Sequence, residues 1–163
     1  MTGNSEHIPT NPREAILHGL EVAFVDLGNE MRRRYAQASE VVQPGLSPAS
    51  YRLLLVVRRA GALTLSELAG RLCADKGMTS RNVTELESHG LVERVPDPAD
   101  RRARLINITD HGAERLEVAH TTYALSFDEV LADWPVEAIE QTTRLLETLV
   151  ASSADVPENQ TAK

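Results

Sequence analysis

The sequence is poor in the residues that specify disulfide-rich, membrane-spanning and many ligand-binding proteins. Cys73 is the only cysteine among 163 residues, which excludes an intrachain disulfide and disfavours a thiolate zinc site. Aromatic residues make up only 4% of the chain, too few to propose a particular ligand. No apolar run approaches the roughly 20 residues of a membrane span, and residues 1–10 lack a targeting pattern. We therefore expect a cytoplasmic protein.

Motifs of catalysis are also missing from the sequence. It contains no phosphate loop, no nucleophile elbow and no metalloprotease motif, so we expect neither an enzyme nor a bound cofactor. Two features could indicate a metal site or an oxidant sensor, but each has a simpler explanation. His111 and His120 lack the paired spacing of a zinc site, which favours surface histidines over metal ligands. Cys73 closes an apolar helix, which favours a small core residue over an oxidant sensor.

Acidic residues outnumber basic ones, but not uniformly along the chain. The sequence has 24 acidic and 17 basic residues, for a net charge of -7, which argues against a protein that coats nucleic acid or membranes. Between Arg71 and Arg104, seven basic residues face six acidic ones, so this segment is the least acidic part. Any nucleic-acid binding must then depend on a few placed residues rather than on bulk charge.

Apolar periodicity and capping residues predict a mainly α-helical chain with a small β-hairpin. Asn11-Pro12 begins a helix whose apolar stripe predicts an end near Tyr35 or Ala38, and Ser47-Pro48 begins a second helix. A capping box formed by Thr64 and Glu67 then starts a third helix. The predicted divisions are a disordered N-terminus (1–10), an N-terminal dimerisation helix (11–45), a winged helix-turn-helix (46–108), C-terminal dimerisation helices (109–151) and a disordered tail (152–163).

The central feature is the helix predicted after Asp75, which has a residue suited to end a helix at each of its two ends. Asp75 is suited to cap its N-terminus, and Gly90 to adopt the left-handed conformation after its last turn. Its apolar face is expected to dock on the domain while the opposite face stays free. Strands at Leu91–Val95 and Arg104–Ile108 follow, joined by a turn-rich tip, and form a wing. A long helix with a stripe from Ala113 to Val130 and a last helix from Val136 to Val150 complete the chain.

Several short segments occur in a fixed order between about Leu46 and Leu116. They are Leu63-Thr64-Leu65-Ser66-Glu67-Leu68-Ala69, Asp75-Lys76, Ser80-Arg81, Leu86-Glu87, Gly90-Leu91-Val92-Glu93-Arg94 and Asp97-Pro98-Ala99-Asp100-Arg101-Arg102-Ala103. With these segments the region resembles the MarR family of bacterial transcriptional regulators. The resemblance implies a winged-helix homodimer on a pseudo-palindromic DNA operator, usually a repressor of neighbouring genes that a small-molecule effector releases. The effector and its binding residues stay unknown.

The resemblance also implies which residues contact double-stranded DNA. Arg81 is the expected base reader, Lys76 a phosphate contact, and Asp100 the residue that orients the wing arginines. The full predicted set is Lys76, Gly77, Met78, Ser80, Arg81, Thr84, Asp100, Arg101 and Arg102. Three features depart from the family pattern: Met78 replaces a small hydroxyl residue, Thr79 and Asn82 are polar on the docking face, and Glu85 places a negative charge near the DNA.

Three alternatives stay open beside this interpretation. Arg32-Arg33-Arg34 suits the dipole of the first helix, which is favoured over a direct role on DNA. Tyr35, Tyr51 and Trp134 could line an effector pocket, although ordinary packing is favoured. The competing function is a winged helix that binds proteins and no specific DNA, for which Glu85 and the net charge of -7 are the best evidence.

Overall fold

The structure is a computed structural model, and it describes residues 11–100, 102–123 and 127–154. The elements in chain order are α1 (Pro12–Val42), α2 (Pro48–Ala60), β1 (Leu63–Thr64), α3 (Leu65–Leu72), α4 (Lys76–Ser88), β2 (Val92–Pro96), β3 (Arg104–Ile108), α5 (Asp110–Tyr123), α6 (Phe127–Val130) and α7 (Val136–Ala154). They form two compact units, residues 1–124 and residues 125–163. The expected disordered segment 1–10 lies outside the described residues, as does the tail from 155 onward, whereas residues 152–154 belong to α7.

The helices begin where their capping residues predict. The side chain of Asn11 accepts a hydrogen bond from the backbone N–H of Glu14 at 2.9 Å, with Pro12 in the first turn of α1. Ser47 caps α2 in the same way. At the start of α3, Thr64 and Glu67 form the expected capping box, in which each side chain accepts from the other residue's backbone N–H. The polar ends of these helices are therefore satisfied locally.

Helix α1 is longer than the apolar stripe predicts. It continues to Val42, past the expected end near Tyr35 or Ala38, because Ala38, Ser39 and Val42 are buried in the core. Its last carbonyl groups find a partner 73 residues away: Arg115 of α5 donates from Nε to the carbonyl of Val42 at 2.8 Å, and from its second amino group to that of Val41. An arginine at this end also suits the helix dipole.

The β-sheet has three strands rather than the two of the predicted hairpin. β2 and β3 pair in antiparallel register from Val92 opposite Ile108 to Pro96 opposite Arg104, so the wing is present with its first strand shifted by one residue. The short strand β1 adds to the other side of β3, with Leu63 opposite Ile106, and the strand order is β1-β3-β2. Two residues between helices carry too short a pattern to predict a strand.

The core lies between the C-terminal end of α1, helices α2 to α5 and the sheet. The largest fully buried side chains are Val42, Leu46, Leu53, Leu54, Val57, Leu68, Thr79, Val83, Leu86, Leu91, Val92 and Ile106. Leu116 and Ala119 of α5 join them, as its stripe predicts. Gly112 lets α5 approach the sheet, because a Cβ at this position would lie 2.1 Å from the carbonyl oxygen of Leu91. The helix-turn-helix, the wing and α5 therefore share one core.

Other apolar side chains remain exposed in the single chain. On α1 these are Ile16, Leu17, Leu20, Val22, Val25 and Leu27, with Ile16 72% exposed. In the second unit, α7 exposes Val136, Leu145, Leu146, Leu149 and Val150. The stripe expected to continue from α5 to Val130 crosses residues 124–126, which lie outside the described residues; in the second unit, Val130 of α6 is 58% exposed. The side chains of Tyr123 and Phe127 lie outside the described residues.

Candidate nucleic-acid interface

Helix α4 has one buried face and one free face, as its sequence predicts. Thr79, Val83 and Leu86 are at most 1% exposed and pack into the core. The hydroxyl of Thr79 donates to the carbonyl oxygen of Asp75 at 2.8 Å, so this polar residue is buried with its hydrogen bond satisfied. The polar hydroxyl of Thr79 is therefore buried on the docking face without leaving an unpaired donor. Asn82, the other polar departure, is half-buried.

Both ends of α4 are fixed by short-range hydrogen bonds. The carboxylate of Asp75 accepts from the N–H of Met78 at 2.9 Å. A Cβ on Gly77 would lie 3.0 Å from that carboxylate, so the glycine leaves room for the cap. At the other end Gly90 has a φ of 67°, and its N–H and that of Leu91 donate to the carbonyls of Glu87 and Leu86. The position of α4 against the core is thereby well determined.

The free face of α4 carries the residues that were predicted to meet DNA. Lys76, Gly77, Met78, Arg81 and Thr84 are exposed, and Ser80 is half-buried. The hydroxyl of Thr84 donates to the carbonyl of Ser80 at 3.0 Å, which leaves its oxygen lone pairs as the group available to a partner. The structure thus groups all six predicted α4 residues on the first three turns of one helix.

The wing tip is shaped by two aspartates acting on the backbone. Asp97 accepts from the N–H of Ala99 at 2.8 Å, and Asp100 from the N–H of Arg102 at 2.9 Å. Asp100 therefore shapes the chain that carries Arg102, which is exposed, rather than pairing with its guanidinium in the described contacts. The predicted contact residue Arg101 lies outside the described residues.

Glu85 is the clearest difference from the sequence interpretation. Its side chain is not free on the face that would meet DNA: Oε2 accepts from the Ser47 hydroxyl at 3.1 Å and from the Ser50 hydroxyl. Ser50 is fully buried, and both serines belong to the first turn of α2, where the helix dipole favours an anion. The carboxylate thus joins α4 to α2, and its charge is engaged within the domain.

A second link runs from α4 to the wing. Arg94 of β2 and Glu87 of α4 form an ion pair with Nε and Oε2 at 3.3 Å, and both side chains are about one-third exposed. Such a pair contributes less than about 1 kcal/mol. The ion pair connects α4 to β2, the first strand of the hairpin, and so helps to fix the orientation of the wing relative to the helix.

The arginine triplet of α1 pairs within its own helix. Arg33 and Arg34 both contact the carboxylate of Glu30, at 2.8 Å and 2.7 Å, and Arg32 donates to Asn29. The hydrogen bond from Arg33, followed by that from Arg34, lowers the pKa of Glu30. The dipole explanation of the triplet is wrong in its detail, because α1 extends to Val42 and has no basic residue in its last turn.

Cys73 is exposed, contrary to the expected core position. Helix α3 ends one residue earlier, at Leu72, and Cys73 occupies the left-handed conformation that closes it, with a φ of 48°. The turn between α3 and α4 needs such a residue, and this turn directs the side chain outward. His111 and His120 are exposed on α5, and no grouping of three or more potential metal ligands occurs in the described part of the chain.

The aromatic residues that could line an effector pocket, Tyr35, Tyr51 and Trp134, differ in their surroundings. Tyr51 is buried, and its ring lies 5.6 Å from that of Tyr35 between centroids. Burial raises the pKa of Tyr51, with a smaller contribution from Tyr35, so it stays neutral at physiological pH. This is the packing of two rings in a core. Trp134 belongs to the second unit and is 52% exposed. Within the described residues, no helix has the length and apolar character to cross a membrane.

Comparisons with known proteins match this geometry. Residues 46–103 match the model of the MarR family. The chain is 31% identical over 93 residues to the uncharacterised HTH-type transcriptional regulator YdgJ of Bacillus subtilis, covering 57% of each chain. It is 35% identical over 75 residues to the multiple antibiotic resistance protein MarR of Escherichia coli, covering 46% of this chain and 52% of that one. The chain thus spans about half the length of these curated relatives.

A solved structure extends the similarity beyond the matched segment. A cysteine-to-serine mutant of Escherichia coli MarR, in complex with operator DNA, superimposes with a TM-score of 0.57 at 26% identity. The alignment covers 83% of this chain and 95% of that one. It therefore includes helices outside the segment that matches the family model.

Proposed function

We propose that the chain is a member of the MarR family of winged-helix proteins and acts as a sequence-specific DNA-binding transcriptional regulator. In this proposal α4 enters the major groove, where Arg81 reads a base edge and Lys76 contacts a phosphate. The wing brings Arg102 to the DNA backbone, beside Arg101. The proposed contact set is the one that the sequence predicts.

The observation that carries the proposal is the division of α4 into two faces. One face is buried in the core through Val83 and Leu86, and both ends are capped, so the helix is held rigidly. The other face presents Lys76, Arg81 and Thr84, a cation, a forked donor and a hydroxyl oxygen, to solvent. A rigid helix with free polar groups on one side suits entry into the major groove, which is wide enough for a helix.

We further propose that the protein acts as a homodimer. The N-terminal half of α1 exposes six large apolar side chains, and α7 exposes five, surfaces that a second copy of the chain would cover. A two-fold dimer would present two copies of α4 to two half-sites about one helical turn of DNA apart, which corresponds to a pseudo-palindromic operator. Repression of neighbouring genes and release by a small-molecule effector are what membership of the family implies.

The alternative, a protein-interaction module, is less well supported than it was from the sequence. Its best evidence was the negative charge of Glu85 on the free face, but that carboxylate is bound to Ser47 and Ser50 within the domain. The net charge of -7 is the remaining argument. Acidic residues far from α4 do not exclude DNA binding, because dissolved salt screens the repulsion between exposed charges that are more than about 10 Å apart.

The test is a titration of the protein against labelled duplex DNA, followed by fluorescence anisotropy. One duplex carries the intergenic region upstream of the gene for this protein, and a control carries the same bases in shuffled order. We expect binding to the first to be about 1,000-fold tighter or more. Two subunits that each place Lys76 and Arg102 on phosphates predict a slope of log K against log salt of about -4.

Two outcomes would oppose the proposal. Equal affinity for both duplexes would remove sequence specificity, and binding that does not weaken with salt would remove the phosphate contacts. Either result would favour the protein-interaction module.

A further inference from the structure

One large apolar side chain stands out on the free face of α4. Among the described residues of the segment 46–108, Met78 is the only large hydrophobic residue that is substantially exposed, at 48%. The other large hydrophobic side chains that are exposed in the described residues lie on α1, at Val118 of α5, and in residues 130–150. A single exposed apolar residue is ordinary on a protein surface, so the position of Met78 decides what it means.

Met78 lies in the first turn of α4, directly beside the proposed base reader. Arg81 follows three residues later, and residues three apart on a helix are neighbours on its surface. Nearly half of the surface of Met78 is open to solvent. The N–H of Met78 is held by the Asp75 carboxylate, which fixes its backbone at the end of the helix that would approach DNA first.

The chemistry of methionine limits what it can recognise in a groove. Its side chain has no hydrogen-bond donor and only a weak acceptor, so it cannot read the polar edges of bases. In the major groove the apolar feature is the C5-methyl group of thymine. The flexible thioether chain adapts its shape to such a group.

We propose that Met78 is a specificity-determining residue that contacts the C5-methyl group of a thymine next to the base read by Arg81. This inference rests on the proposed function, since it requires α4 to enter the major groove. It assigns to the operator a thymine in each half-site whose methyl group, rather than its hydrogen-bonding edge, is recognised.

The experiment removes methyl groups from DNA one at a time. A binding duplex is first selected from a random library with the wild-type protein, and each thymine is then replaced singly by deoxyuridine, which lacks only the methyl group. We expect one position in each half-site at which the replacement weakens wild-type binding about four-fold, the factor for one buried methyl group. In Met78→Ala the same replacement should have no effect.

The matched control is Arg59→Ala, which truncates another long exposed side chain outside α4 and outside the proposed contact set. It should keep the wild-type response to every deoxyuridine. Thermal unfolding of Met78→Ala should match that of the wild type, because the side chain is not part of the core.

The outcomes separate this inference from the function on which it rests. If the wild type selects no duplex and binds without salt dependence, the proposed function fails and the inference with it. If selective binding occurs but no deoxyuridine weakens it, or if the effect persists in Met78→Ala, the methyl contact is overturned while the function stands.

Discussion

Replacing Glu85 with alanine should destabilise the protein although the residue lies on an exposed helix. The carboxylate accepts hydrogen bonds from two hydroxyl groups, Ser47 at 3.1 Å and Ser50, at the dipole-positive end of α2. Hydrogen bonds to a charged group contribute about 1.5–3 kcal/mol each when buried. The lower value applies to a half-buried carboxylate, and the two bonds are not additive, because the Ser47 hydroxyl also lies 3.0 Å from that of Ser50.

The expected loss from Glu85→Ala is then about 2 kcal/mol in the free energy of unfolding. For a chain of this length it corresponds to a fall of about 4–8 °C in the melting temperature. Glu85→Gln keeps an acceptor of the same shape and should lose about 0.5–1 kcal/mol, the difference between a charged and a neutral hydrogen bond.

The assay is urea unfolding at a fixed protein concentration, with Glu85→Ala, Ser50→Ala and the double variant forming a cycle. We expect a coupling of about 1 kcal/mol, because each single change already breaks the shared bond. Glu87→Ala is the control: it removes an ion pair between partly exposed side chains and should cost less than about 1 kcal/mol. A loss below about 0.5 kcal/mol for Glu85→Ala, or additive single changes, would refute the proposed link between α4 and α2.

Three further predictions concern α5, the start of α3 and the wing. Gly112→Ala should lower the free energy of unfolding by about 2 kcal/mol or more, because its Cβ would lie 2.1 Å from a carbonyl oxygen. Its control is Gly70→Ala, which has open space around it in α3 and should stabilise the protein by up to about 1 kcal/mol. Equal effects of the two substitutions in urea unfolding would contradict this reasoning. The hydrogen bonds from Thr64 lower the pKa of Glu67 below its ordinary value of 4.5, so its stabilising effect is present above that pH and lost as pH falls through the folded value. Glu67→Gln should therefore flatten the decline in stability as the pH falls below 4.5, and an unchanged decline would count against the capping box as its source. Arg102→Ala should weaken binding to all DNA sequences about equally and make the salt slope less steep by about 2 for a dimer, and an unchanged slope would exclude a phosphate contact.

The sequence predicted the features that depend on neighbouring residues. Asp75 capping α4, Gly90 closing it and the capping box of α3 follow from side chains within four residues of the backbone groups they satisfy. The same holds for the buried face of α4, which appears in its periodicity. All six residues of α4 that are predicted to contact DNA fall on one helix, because they lie between two such markers. Their roles came from the resemblance rather than from the pattern.

Features that depend on distant residues could not be predicted. Glu85 contacts serines 35 and 38 positions earlier, and Arg115 reaches the end of α1 across more than 70 residues. Nothing in the local sequence distinguishes these two side chains from ordinary surface charges. The prediction that Cys73 is a core residue was wrong for a related reason. It came from the residue type and the apolar helix before it, whereas the left-handed turn leaves the side chain exposed.

The central claim, that α4 reads DNA through its free face, is tested most directly by Arg81→Ala. The measured quantity is the ratio of affinities for the selected duplex and for its shuffled control, with Arg59→Ala, an exposed arginine of α2 outside the proposed contact set, as the control for loss of one positive charge. We predict that Arg81→Ala loses about 1–3 kcal/mol of binding to the selected duplex and much less to the shuffled one, so that the ratio falls at least five-fold. A ratio equal to that of the wild type would contradict the claim.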